Sequence, residues 1–69
     1  MKLFVWEGVL ASWSDGLAVA IAKNLEQVLE MAREQSSYVA GELGSHQPEV
    51  IDLGRIKREP KLWYVCGGD

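Results

Sequence analysis

The residues best equipped for chemistry in this chain stand apart from one another. His46, the single histidine, lies in Ser45-His46-Gln47-Pro48 with no Cys, Asp or Ser at a spacing that makes a base, a nucleophile pair or a ligand set. It reads as a surface histidine. Cys66, the single cysteine, sits beside Tyr64 and Val65, where a thiol behaves as a small hydrophobe because nothing local stabilises its thiolate. One Cys and one His do not make a four-ligand zinc site without several carboxylates, and no internal disulfide can form. Ser12, Ser14, Ser36, Ser37 and Ser45 lack the strand–turn–helix context that activates a nucleophile. Gly67-Gly68 is too short for a phosphate loop and precedes no helix. The expectation is therefore no catalytic residue, no metal and no cofactor: a binding protein, not an enzyme.

Binding can be read from charge and aromatics instead. Glu26, Glu30 and Glu34 recur every four residues, which makes one acidic line along a helix, relieved in part by Arg33. It is either a solvated face or a ridge offered to a basic partner. Arg55, Lys57, Arg58 and Lys61 hold four of the seven positive residues in one connection. Arg55, Lys57 and Arg58 are the candidate phosphate contacts, against the plainer reading of a solubilising loop. Net charge is −3 and the pI near 5.0, which opposes binding to duplex nucleic acid, since that needs a positive field.

The elements that must position these groups follow from periodicity. Lys2–Leu10 is apolar on both faces and reads as a central strand. Ala11–Gly16 concentrates turn formers, with Asp15-Gly16 the hairpin signal, and Leu17–Ala22 alternates large apolar residues with alanine. These two strands pair antiparallel. At Asn24 the period changes: Leu25, Val28, Leu29 and Ala32 recur at offsets of three and four, Asn24 is a good N-cap, and Gln27 completes a capping-box pattern. A main helix spans Leu25 to Gln35. A short helical turn near Tyr38–Leu43 follows, capped by Ser37 and ended at Gly44. Glu49–Leu53 and Leu62–Cys66 read as strands. The fold class is α+β: a four-stranded antiparallel sheet with one main helix on one face, order β-β-α-β-β, and a short second helix.

Sixty-nine residues make one domain, and a chain this short buries about 60% of its unfolded surface, so it gains from an oligomeric partner. Met1-Lys2-Leu3-Phe4-Val5-Trp6-Glu7 meets a carboxylate too early for a secretory leader, and no apolar run approaches a membrane span. The cytoplasm, with no membrane partner, is the expected location. One helix covers one face of a four-stranded sheet. If Leu17, Val19 and Ile21 lie under it with Leu3 and Val5, the other face carries the small series Ala18, Ala20 and Ala22 with Phe4 and Trp6, and Trp63 or Tyr64 from the last strand. Phe4, Trp6 and Trp63 are then interface anchors and Trp13, in the turn, a rim contact. A homodimer is the expected state. The plainer alternative folds the Ser36–Leu43 segment over that second face.

The frame Met1–Leu10, then Asp15–Ala22, a Glu-rich helix and a terminal Trp63-Tyr64-Val65-Cys66-Gly67-Gly68, resembles small orphan accessory proteins of tailed bacteriophages. The resemblance implies an inhibitor of a host defence system, working in the host cytoplasm through contacts with a host protein. Two alternatives stand beside it. One is a sponge that sequesters a nucleotide by stacking aromatics on bases with Arg55, Lys57 or Arg58 on phosphates; the other is a structural, virion-associated oligomer.

Overall fold

The computed structural model describes residues 1–10, 16–55 and 58–65. Its elements are β1 (Lys2–Val9), β2 (Gly16–Ala22), α1 (Leu25–Gln35), α2 (Ser37–Ser45), β3 (Glu49–Asp52) and β4 (Lys61–Val65). The strands form one antiparallel sheet in the order β3-β1-β2-β4. This is the α+β class that the change of period predicts. The β1–β2 pair is central, and β3 and β4 are added on opposite edges. The chain from β3 to β4 therefore crosses the whole width of the sheet at the end where β1 begins.

Each boundary has a local cause. Asn24 caps α1 by accepting from the Gln27 amide at 2.9 Å, and the Gln27 side chain accepts from the Lys23 amide at 2.9 Å, so orphan donors are satisfied from both directions. Ser36 is extended, with φ −166°, and serves both helices: its amide closes α1 on the Ala32 carbonyl at 2.8 Å, and its hydroxyl accepts from the Val39 amide at 3.5 Å. Ser36, rather than Ser37, is thus the cap, and α2 runs one residue past the expected Gly44 stop.

The end of α2 needs no left-handed glycine because side chains take up its free carbonyls. Ser45 Oγ donates to the Gly41 carbonyl at 2.8 Å, and His46 Nδ1 donates to the Glu42 carbonyl at 2.9 Å. Trp6 Nε1 donates to the carbonyls of Leu43 and His46, each at 3.2 Å.

In β1, Gly8 adopts a positive φ of 71° and the pairing shifts between Glu7 and Val9, which is a glycine bulge. The extra residue breaks strict alternation and lets Val9 and Leu10 both enter the core. Leu10 itself sits at φ 56°, its amide donating to Glu42 Oε1 at 3.1 Å.

The core is formed by Phe4, Trp6, Val9 and Leu10, the alanines Ala18, Ala20 and Ala22, Leu62, and the helix residues Val28, Ala32, Val39 and Leu43. Cross-strand register explains its shape. Ala20 lies between Phe4 and Leu62, and Ala18 between Trp6 and Tyr64. The alanine lane of β2 is therefore a trough walled by large side chains, and α1 packs on β2 and β4 while α2 packs on β1. Both helices share this one face, so α2 does not close the second face. Among the described residues no helix is long and apolar enough to cross a membrane.

Candidate interaction surface

With the alanines inward, the strand positions between them point away from the helices. Paired residues share a face, so the register reads the open side directly. One row runs Ile51, Leu3, Ile21, Lys61; the next runs Glu49, Val5, Val19, Trp63; the third runs Glu7, Leu17, Val65. Eight of these eleven side chains are apolar, and the three charged ones stand at the border. Leu17 is 43% exposed, Ile51 43%, Trp63 39% and Val65 67%. Leu3, Val5, Val19 and Ile21 are half-buried.

Four strands at about 4.8 Å and three rows at about 6.8 Å make a patch roughly 20 Å on a side, about the size of the largest apolar patch on a soluble monomer, which is often functional. The patch continues around the β4 edge as an open groove of about 520 Å³, lined by Leu17, Val19, Gln35, Leu62, Trp63, Tyr64 and Val65.

The inward and outward assignments are the reverse of the sequence expectation. Phe4 and Trp6, expected as interface anchors, are core residues: Phe4 is 3% and Trp6 1% exposed, with ring centroids 6.1 Å apart beneath the helices. The reason is partly polar. A buried indole needs an acceptor for its N–H, and Trp6 Nε1 finds two in the carbonyls that end α2. Trp63 stands on the open face with Val5 and Val19, on the opposite side of the sheet from Phe4 and Trp6, so the expected trio is split between the two faces. Leu3, Val5, Leu17, Val19 and Ile21 are the surface residues that the sequence reading placed beneath the helix; Ile51 and Val65 join them on the open face. The alternation that separates them from the alanines was legible; its parity was not.

The remaining candidates are scattered. Glu26, Glu30 and Glu34 are exposed on the outer side of α1, away from the open face. Arg55 and Arg58 are exposed in the connection between β3 and β4. Trp13, Lys57 and Cys66 lie outside the described residues. One cation does meet an aromatic ring on this face: Lys61 Nζ lies 5.0 Å from the Trp63 ring centroid, a cation–π contact. Among the described residues no group of three or more His, Cys, Asp or Glu is placed to hold a metal ion, and the His46 ring is tied to the backbone of its own helix. What this geometry can do is bury apolar area against another surface. No protein-family model, curated protein or solved structure matches this chain.

Proposed function

We propose that this is a noncatalytic binding protein that acts through protein–protein contacts made by the open face of its sheet. The observation that carries this reading is the eight-residue apolar patch with exposed Trp63 and Val65 and a charged border. An apolar centre with charge confined to its edge is the composition of an interface core and rim. The resemblance to phage accessory proteins supplies the setting: antagonism of a host defence system in the host cytoplasm.

The test is phage plating on bacteria that carry a defence system, with and without this protein. Wild type restores plating efficiency, and Trp63→Glu, checked for folding by circular dichroism, does not. Glu30→Gln on the far side of the molecule leaves protection intact. Protection that survives Trp63→Glu rules the face out.

One observation favours a second reading, the nucleotide sponge. Lys2 opens β1, Lys23 follows β2, Lys61 opens β4, and Arg55 and Arg58 lie in the connection between β3 and β4, so five of the seven basic residues gather at one end of the sheet. A thermal-shift screen against cyclic di- and oligonucleotides decides it, because a ligand at 100 times its Kd adds about 2.7 kcal/mol. An unchanged melting temperature discards it.

A further inference from the structure

Resting on the reading of the open face as a protein-binding surface, we propose that its occupant in the free protein, before any other partner displaces it, is a second copy of this chain, packed face to face about a two-fold axis parallel to the strands. Three observations lead there.

The first is area. A patch roughly 20 Å on a side, about 400 Å² per copy, buries about 800 Å² when two copies meet, which is below the standard size of a specific interface and in the range of weak, reversible pairs. The second is shape. The patch is the face of a sheet, and two sheets pack with their strands nearly aligned and their side chains interdigitated. A self-complementary flat face closes on itself at two copies.

The third is charge, and it selects the axis. Glu49 lies on the β3 edge and Lys61 on the β4 edge. The Lys61 ammonium leans over the Trp63 ring, which brings its charge into the row that holds Glu49. Rotation about an axis along the strands lays the β3 edge of each copy on the β4 edge of the other. Each Glu49 then meets the partner copy's Lys61, twice by symmetry. Rotation about an axis across the strands lays β3 on β3 and sets Glu49 against its own counterpart, a like-charge contact at the interface. The first arrangement pairs the border charges; the second opposes them.

The experiment uses purified full-length chain in sedimentation equilibrium across the micromolar range at low salt, with circular dichroism as the folding check. Wild type is expected to be a monomer–dimer equilibrium with no larger species. Trp63→Glu weakens it about tenfold or more, since it removes the one aromatic side chain among the described residues of the face and adds a carboxylate to the row that holds Glu49. Glu49→Lys and Lys61→Glu each weaken it about tenfold by opposing two pairs at once. An equimolar mixture of those two variants restores affinity to within about threefold of wild type, because the mixed dimer re-forms both pairs.

Several results overturn the proposal. Tighter pairing of Glu49→Lys with wild type than of wild type with itself selects the crosswise axis instead. Large assemblies refute two-fold closure. A strict monomer at 100 micromolar removes the second copy as occupant, while leaving the face open to a different protein in the plating test. A dimer that Trp63→Glu leaves untouched overturns both that occupant and the face itself as the binding surface.

Discussion

Trp6 shows how a buried aromatic residue satisfies its one polar atom: its N–H donates to two carbonyls at the end of α2. Trp6→Phe is expected to cost about 2 kcal/mol, from two carbonyls left without a donor and from lost volume, read as a lower urea midpoint. Faster amide exchange in the last turn of α2 is the local signature. In a domain of this size that is a large share of net stability. Gly8 is the other residue with an effect beyond its size. At φ 71° a Cβ is strained, so Gly8→Ala should lose about 1–2 kcal/mol. An unchanged urea midpoint in that variant counts against the bulge as the device that admits both Val9 and Leu10 to the core.

Among the elements, the start of α1 was readable in full from Asn24 and Gln27, because capping is local chemistry between residues a few positions apart. Its stop was readable for the same reason. Ser36 is the less obvious case: one extended residue both ends α1 and begins α2, which turns the second helix back over β1 rather than continuing the first. Ser36→Ala removes the acceptor of the Val39 amide and should cost about 0.5–1 kcal/mol. Hydrogen exchange should quicken at Val39 while protection within Leu25–Gln35 persists; uniform loss across both helices contradicts separate capping. Strand β3 is exposed on both faces, since Val50 lies on the helix side of the sheet yet is 49% exposed at the uncovered edge.

At the scale of the molecule, two helices on one side leave the other side of a four-stranded sheet bare, and that side carries the larger residues of β2. The pairing proposed for that side makes stability depend on concentration. If two copies cover these faces, the melting temperature rises with protein concentration because dimerisation favours the folded state by mass action. Differential scanning calorimetry from about 5 to 500 micromolar checks this, a span of concentration over which a weak, reversible pair forms. Trp63→Glu should flatten that dependence while leaving the dilute melting temperature near wild type, since Trp63 is absent from the core. A melting temperature independent of concentration in the wild type argues for a monomer.

Local patterns alone determined the α+β class, both β1 and β2, the ends of α1, and an excess of apolar area over what the helices can cover. Each of these depends on residues close in sequence, through periodicity, capping and turn chemistry. Only the tertiary structure decided which parity of the strands faces inward. Alternation assigns residues to two faces without saying which is the core. That choice was made by contacts distant in sequence: the fit of α1 into the Ala18-Ala20-Ala22 trough between Phe4 with Trp6 and Leu62 with Tyr64, and the bond from Trp6 to the end of α2. Large side chains such as Leu17 and Val19 were thereby left outside, because close packing between helix and sheet favours the smaller residues beneath the helix.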